Sequence, residues 1–395
     1  MLSRAPHRGC VCVLPAHVRV QSQPVFLDGN PHPGRGPGKH RTVRERTRGR
    51  DSPRGCSLIR FSVFLPVRNG WPYVKECVES VLRQSYSDFE LTVLDNQSSD
   101  ETVSWVTSIG DPRVRVFTSS EPLSIQQSWA RIKECSKLDY TTMIGHDDVL
   151  DPGFLEIIRR LIERHPQASL YQTGARLING SGKRIRGCTP VPERETAADY
   201  LRARLKLRRD AFGTGFVMRS ADYDRVGGIP AFERLFFADD ALWLLLMSGS
   251  YKAADPTEAC GVRIHSKSES ASLPSIWRSM LIGLNQFDEF LQGLGERDAA
   301  CREVLDGLQA SFMLNRHRAA FLYALIEACR KGRRIETGTV RAIEESLGRT
   351  VPDNAGKLTD SVTVALLERA NALGLHRPVS WLWTLYYALS TRSNG

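Results

Sequence analysis

The sequence is best understood from one stretch, Tyr140-Thr-Thr-Met-Ile-Gly-His-Asp-Asp-Val-Leu-Asp-Pro152. Its first part, Tyr140–Ile144, has the β-branched and aromatic content of a buried strand. Asp151-Pro152 is a helix-start signal, with an acidic N-cap and proline at the first helical position. The adjacent carboxylates Asp147 and Asp148 are therefore predicted to lie between the end of a strand and the start of a helix.

This acidic pair has two interpretations. In open α/β sheets, ligands bind outside the carboxyl ends of the strands. Adjacent carboxylates beside His146 would suit a divalent cation there. Alternatively, Asp147 and Asp148 only cap the following helix and face solvent. The residues alone leave both interpretations open.

Composition places the chain among soluble globular proteins. It has 395 residues, of which 41% are hydrophobic and 25% charged, enough for two domains. No apolar run approaches the roughly 20 residues of a membrane-spanning helix. The 9 cysteines are odd in number and form no C-x-x-C pair, which argues against a disulfide framework or a zinc site. These features predict a cytoplasmic protein.

The net charge of +10 comes largely from residues 1–57. This segment is rich in arginine, proline and glycine and lacks periodic apolar spacing, so it is predicted to be a disordered basic leader. It could be a phosphate-binding arm, a transit-like leader, or the product of a start codon assigned too far upstream, and we favour the last. Because the charge lies in this segment, no nucleic-acid partner is expected, and the folded protein is predicted to begin near Leu58.

Strand and helix patterns alternate from Phe61 onward, and the alternation predicts an α/β fold with a mostly parallel sheet flanked by helices. The predicted strands are Phe61–Val67, Phe89–Leu94, Arg113–Phe117, Tyr140–Ile144, Ala168–Thr173, Phe216–Arg219 and Gly261–His265. Neither G-x-G-x-x-G after the first strand nor a P-loop motif is present, which disfavours nicotinamide and P-loop nucleotide sites.

A second acidic pair, Asp239 and Asp240, lies at the predicted first turn of an apolar helix that runs to Met247. The helix dipole would stabilise carboxylates there, so ordinary capping also explains them. From Pro274 onward, amphipathic patterns predict a helical region with helices at Ile276–Leu294, Ala299–Leu314, Arg318–Lys331, Thr339–Leu347 and Leu358–Leu373. Its aromatic end, Val379–Leu389, is interpreted as core packing in preference to an interfacial membrane contact.

The sequence resembles the family 2 glycosyltransferases of GT-A fold between about Phe61 and Ser272. The matching motifs are Val63–Gly70, Phe89–Thr102, Ile144–Pro152, Val226–Gly228, Phe236–Asp240 and Arg263–His265. The resemblance predicts a GT-A catalytic domain at residues 58–272. Together with the composition and the helix patterns, this divides the chain into the disordered basic leader at residues 1–57, the catalytic domain and a helical C-terminal region at residues 273–395.

The resemblance implies an inverting, metal-dependent transferase that moves a sugar from a nucleotide-diphosphate-sugar to a glycan or lipid-linked acceptor. Surface polysaccharide biosynthesis in the cell envelope would be its setting, with peripheral contact at the inner face of the membrane. The implied residues are Pro66, Arg68, Asn96 and Asp147 for the donor, Asp148 and His265 for Mn²⁺ or Mg²⁺, and Asp240 as catalytic base. Asp239 is the alternative base, because a one-residue shift aligns Trp243 with the family's aromatic position.

Three positions depart from the family pattern, one of them Ala130, which stands where related sequences often place asparagine. Asn96 stands where many relatives carry an acidic residue, so a uracil ring N–H would be bound without charge assistance, although a UDP-linked donor is still expected. Gly145 replaces the outer aspartate of the acidic motif. The missing acidic residues at Gly145 and Asn96 keep open a catalytically silent GT-A-like binding domain, and a nucleotidyltransferase of similar architecture is a further alternative.

Overall fold

The computed structural model describes residues 58–265, 273–354, 358, 362–379 and 381. From Ile59 onward, the described residues belong to one compact unit. The predicted basic leader and the aromatic stretch from Leu382 to Leu389 lie outside the described residues.

A 10-stranded mixed sheet forms the centre of the described structure. Its strands are β1 (Phe61–Val67), β2 (Phe89–Asp95), β3 (Val114–Val116), β4 (Tyr140–Met143), β5 (Val149–Leu150), β6 (Leu170–Asn179), β7 (Arg184–Gly187), β8 (Arg194–Glu195), β9 (Phe216–Arg219) and β10 (Lys252–Ile264). The main order is β3-β2-β1-β4-β9-β6-β10-β5, with β7 on β6 and β8 on β10. Strands β1 to β4 pair in parallel, whereas β9 is antiparallel to both β4 and β6.

The helices fall into a group that flanks the sheet and a C-terminal group. The flanking helices are α1 (Tyr73–Leu82), α2 (Thr102–Ser108), α3 (Ile125–Ala130), α4 (Phe154–Arg164), α5 (Ala197–Leu205), α6 (Ser220–Arg225) and α7 (Ala238–Met247). The C-terminal helices are α8 (Leu273–Arg297), α9 (Ala299–Arg330), α10 (Thr337–Thr350) and α11 (Val362–Ala372). No helix in the described ranges is long and apolar enough to cross a membrane.

The architecture confirms the predicted α/β class, with a central sheet flanked by helices and a helical C-terminal region. The sheet is mixed, with four parallel and five antiparallel strand pairings. The predicted break between the helices Ala299–Leu314 and Arg318–Lys331 is wrong, because α9 runs through it without interruption. The residues between them include no proline or glycine that would end a helix. The strand predicted at Gly261–His265 is too short, because β10 starts at Lys252, where it begins to pair with β6.

The predicted N-cap at Asp151 is also wrong. Gly153 occupies the N-cap position of α4, without a side-chain cap. The Asp151 carboxylate instead forms a bidentate pair with the Arg176 guanidinium, at 2.7 and 2.8 Å. A charge-assisted pair of this kind is stronger than a capping hydrogen bond, and its partner lies on β6, beyond the reach of local sequence signals.

Two core clusters cover the opposite faces of the sheet. One includes Phe61 of β1, Val78 of α1 and Phe154 of α4. The other joins Phe64, the opposite-facing residue of β1, to side chains of α5, α7 and the C-terminal helices. In this second cluster the rings of Phe237 and Phe287 stack with centroids 4.7 Å apart. The start of α7 therefore lies where the sheet meets the C-terminal helices.

Candidate active site

The acidic pair lies in the turn between β4 and β5. The Asp148 backbone N–H donates to the carbonyl of Gly145 at 3.1 Å, which closes the turn. Strand β5 then pairs antiparallel with β10. Because of this pairing, the end of β10 brings Arg263 and His265 next to the two aspartates.

Asp148 is buried, and both carboxylate oxygens are hydrogen-bonded. Oδ1 accepts from the backbone N–H of Arg263 at 2.8 Å, and Oδ2 accepts from the Thr214 hydroxyl at 2.5 Å. Burial, and then the charge of Asp147, raise the pKa of Asp148 to about 8. A nearby cation would favour the charged form of this carboxyl group.

Asp147 is less enclosed, and its Oδ2 lies 3.0 Å from Nε2 of His265. Burial by itself would raise the pKa of Asp147, but the hydrogen bond with His265 and the charges of His146 and His265 lower it below the usual value. The His265 ring packs on Tyr73 with centroids 4.5 Å apart. The structure thus brings Asp147, Asp148 and His265 together.

Gly145 leaves open a space toward which both carboxylates converge. A Cβ at this position would lie 3.0 Å from Asp148 Oδ2 and 3.1 Å from Asp147 Oδ1. The described residues contain no preformed cluster of three or more metal-ligating side chains. Mg²⁺ is commonly held by one or two carboxylates, with substrate phosphates and water completing its ligands, so this donor set fits such an ion.

Arg263 holds the acidic turn in place and is itself buried. Its Nε donates to the carbonyl of Asp147 at 2.7 Å, and Nη2 pairs with Glu76 of α1 at 2.5 Å. Its Nη1 donates to the carbonyl of Asn179 at 3.2 Å. The sequence analysis included Arg263 in a motif without giving it a role. No sequence signal pointed to Thr214, whose contact with Asp148 depends on the tertiary structure.

The loops after β1 and β2 are joined by hydrogen bonds. The Asn69 N–H donates to Ser98 Oγ at 2.8 Å, and the Ser99 N–H donates to Asn69 Oδ1 at 2.8 Å. Pro66 is buried in β1, whereas Arg68 is exposed. Within the described ranges, Arg68 forms no hydrogen bond or ion pair, so its guanidinium is available to a ligand at this edge of the sheet.

Asn96 is buried and connects β2 to a neighbouring loop. Its Oδ1 accepts from the Leu123 N–H at 2.8 Å, and its Nδ2 donates to the Leu123 carbonyl at 2.8 Å. An amide oxygen has two acceptor sites, so one remains for a ligand donor. Asn96 could therefore bind a nucleotide base while it keeps its hydrogen bonds to Leu123.

Asp240, in the first turn of α7, is 1% exposed. Its carboxylate receives hydrogen bonds from Arg204 of α5, with Nε–Oδ1 and Nη2–Oδ2 both at 2.6 Å. The Tyr200 hydroxyl donates to Oδ1 at 2.6 Å. The sequence analysis did not identify these partners. In this geometry, Asp240 is a buried member of a bidentate ion pair.

Asp239 has a different environment. It is only partly buried, and its Oδ1 accepts from the backbone N–H of Asp240 at 2.9 Å. Burial, and then the charge of Asp240, raise the pKa of Asp239 to about 7. A carboxyl group with a pKa near neutrality is suited to proton transfer at physiological pH.

Comparison with known proteins identifies relatives of part of the chain. Residues 62–227 match the family model described as Glycosyl transferase family 2. Protein y4gI of Sinorhizobium fredii, described as uncharacterized, is 35% identical over 127 residues, which are 31% of this chain and 14% of that protein. Chondroitin synthase of Pasteurella multocida is 27% identical over 135 residues, which are 33% of this chain and 14% of that protein. The chain thus matches only a small part of each of these relatives' length.

A solved structure shares the fold. S. aureus TarS 1–349, in complex with UDP-GlcNAc, superposes with a TM-score of 0.55 at 16% identity, covering 83% of this chain and 92% of that chain. This agreement in architecture and the family match at residues 62–227 confirm the resemblance drawn from the sequence motifs. Residues 62–227, a little under half of the chain, therefore form a domain that matches the family 2 glycosyltransferases.

Proposed function

We propose that the protein is an inverting glycosyltransferase that moves a sugar from a nucleotide-diphosphate-sugar, UDP-linked, to a glycan or lipid-linked acceptor. The observation that carries this proposal is the convergence of Asp147 and Asp148 on the open space at Gly145, at the carboxyl end of β4. The UDP-GlcNAc complex of TarS and the relationship to a chondroitin synthase support a nucleotide-sugar donor and a role in surface polysaccharide biosynthesis.

In the proposed donor site, the edge formed by Pro66, Arg68 and Asn96 binds the nucleotide. Asp147 contacts its ribose or diphosphate, and Asp148 is the main candidate ligand for Mn²⁺ or Mg²⁺. His265 orients Asp147 through their 3.0 Å contact and is a further candidate ligand. When bound, the cation supplies positive charge that stabilises the departing diphosphate.

For the catalytic base we propose Asp239 in preference to Asp240. Asp240 could accept a proton only after its ion pair with Arg204 opened, whereas Asp239 is partly exposed and has a pKa near 7. Asp239 would remove the proton of the acceptor hydroxyl as the oxygen attacks the anomeric carbon, from the face opposite the diphosphate. This single displacement inverts the anomeric centre without a covalent intermediate.

The test is to incubate the full-length protein with a panel of nucleotide-sugars and candidate acceptor glycans, with Mn²⁺, Mg²⁺ or a chelator, and to measure nucleoside diphosphate release. We expect metal-dependent release from at least one donor. The release should be lost in Asp148→Ala and retained in Asp306→Asn, which changes an exposed aspartate of α9. If UDP binds in the presence of Mn²⁺ but no donor is consumed, the protein is a binding domain and not a transferase.

A further inference from the structure

A small cleft opens where the start of α8 and the start of α10 meet the end of α9. Its volume is about 50 Å³, and its basic lining residues are Arg278, Lys331, Arg333 and Arg334. We call it the basic cleft. Pockets that hold whole small molecules are typically about 300 to 1,000 Å³. The basic cleft is therefore sized for a single small polar group and not for a nucleotide.

The acidic residues of the basic cleft already have partners. Glu327 accepts from Trp277 Nε1 at 2.9 Å and from Lys331 Nζ at 2.6 Å. Glu336 pairs with Arg333 at 3.4 Å. Two arginines of the cleft, Arg278 and Arg334, have no carboxylate within ion-pair distance in the described ranges. The Arg278 guanidinium lies over the Trp277 ring, 4.4 Å from its centroid.

A group of exposed apolar side chains lies at the end of the helical region. We call Leu366, Leu373, Leu375 and Trp381 the terminal apolar face; they are 60%, 77%, 47% and 63% exposed. They are four of the six large exposed hydrophobic residues of the described chain, so exposed apolar surface is concentrated here. Arg369 and Arg377 are exposed beside them, and the sequence continues with Trp383, Tyr386 and Tyr387.

The basic cleft lies beside the end of α11, where Leu373 follows in the sequence. The buried side chain of Asn371, two residues before Leu373, connects them. Its Oδ1 accepts from the Ile335 N–H at 2.8 Å, and its Nδ2 donates to the Arg333 carbonyl at 3.2 Å. Both Arg333 and Ile335 line the cleft. A partner that covers the apolar face would therefore lie close to the cleft.

We propose that this end of the helical region binds an anionic phospholipid membrane, with a lipid phosphate in the basic cleft and the terminal apolar face at the headgroup boundary. Leucine and tryptophan beside arginine are typical of surfaces that lie in the membrane interface. Self-association through the same surface would bring two positively charged clefts together, so charge complementarity favours the anionic bilayer. Membrane binding would present the enzyme to a lipid-linked acceptor, but it does not depend on transferase activity, so either proposal can fail alone.

The experiment is co-sedimentation of the full-length protein with vesicles of phosphatidylcholine alone or mixed with phosphatidylglycerol. We expect binding to the anionic vesicles that weakens as salt is raised. Because a surface Lys or Arg contributes about 1 kcal/mol to such binding, Arg278→Gln and Arg334→Gln should each lower the partition coefficient about fivefold. The double variant Leu366→Ser/Leu373→Ser should lower the partition coefficient as well.

Arg341→Gln is the matched control, because Arg341 is exposed on α10 and pairs with Glu345 outside the basic cleft. It should bind vesicles like the wild type. All the substituted side chains are exposed, and unchanged melting temperatures would verify folding. The proposal is overturned if the wild type does not bind vesicles, or if Arg341→Gln and Arg334→Gln lose vesicle binding equally. It is also overturned if the leucine variant binds vesicles normally and differs only in its oligomeric state, measured by light scattering. If the protein binds no vesicles but its melting temperature rises with millimolar inorganic phosphate, the basic cleft is instead a site for a free small anion.

Discussion

Replacing Asp239 with asparagine should lower turnover while leaving the fold intact. Asparagine keeps the shape of the side chain, and its Oδ1 can still accept the Asp240 N–H now bonded at 2.9 Å. It cannot accept a proton from an acceptor hydroxyl. We expect kcat to fall on the order of a hundredfold or more with an unchanged donor KM. The lost interaction with the helix dipole should cost only about 0.3 to 1 kcal/mol of unfolding free energy.

Asp240→Asn should act mainly on stability. The Asp240 carboxylate is 1% exposed and receives both hydrogen bonds of the Arg204 fork and one from Tyr200. The amide would remove the negative charge and leave the Arg204 guanidinium buried without its counterion. Breaking a buried pair in this way costs about 3 to 5 kcal/mol. The melting temperature should therefore fall on the order of 10 °C.

The two variants are compared by nucleoside diphosphate release, for kcat and KM, and by differential scanning calorimetry, for the melting temperature. Asp306→Asn is the control, because it makes the same chemical change on an exposed part of α9. Normal turnover in Asp239→Asn would refute the assignment of the base. If Asp240→Asn abolished turnover at an unchanged melting temperature, Asp240 would be the base and its ion pair would have to open during catalysis.

Three further predictions concern pH and the donor site. Because the base must be unprotonated and the pKa of Asp239 is raised to about 7, kcat should rise with pH through neutrality, and a flat profile there would contradict the mechanism. Asp148→Ala should remove the dependence of UDP affinity on Mn²⁺ in calorimetry, and an unchanged dependence would exclude Asp148 as a ligand. Arg263→Gln should weaken Mn²⁺-dependent UDP binding and lower the melting temperature, because it releases the Asp147 carbonyl and leaves Glu76 unpaired. If only the melting temperature changes, Arg263 has a structural role alone.

The sequence by itself determined the strands and turns that depend only on the composition and spacing of neighbouring residues. Strand β1 alternates between the two core clusters, as Phe61 and Phe64 show, so its burial could be predicted from composition and spacing. Both glycines of the Val226–Gly228 motif lie at positive φ, a conformation that glycine adopts without steric cost. The position of Asp147 and Asp148 after a buried strand also followed from such signals, because a strand, its turn and the next element are set by neighbouring residues.

Only the tertiary structure decided what each acidic side chain contacts. Asp239 and Asp240 are adjacent in the first turn of α7, and successive helical residues point about 100° apart. Which of them is buried depends on Arg204, which is 36 residues away in the sequence. The same holds for Asp148, whose partners Thr214 and Arg263 are 66 and 115 residues distant. Capping and periodicity act over a few residues, whereas ion pairs and buried hydrogen bonds form between segments that meet only when the sheet and the C-terminal helices have packed together.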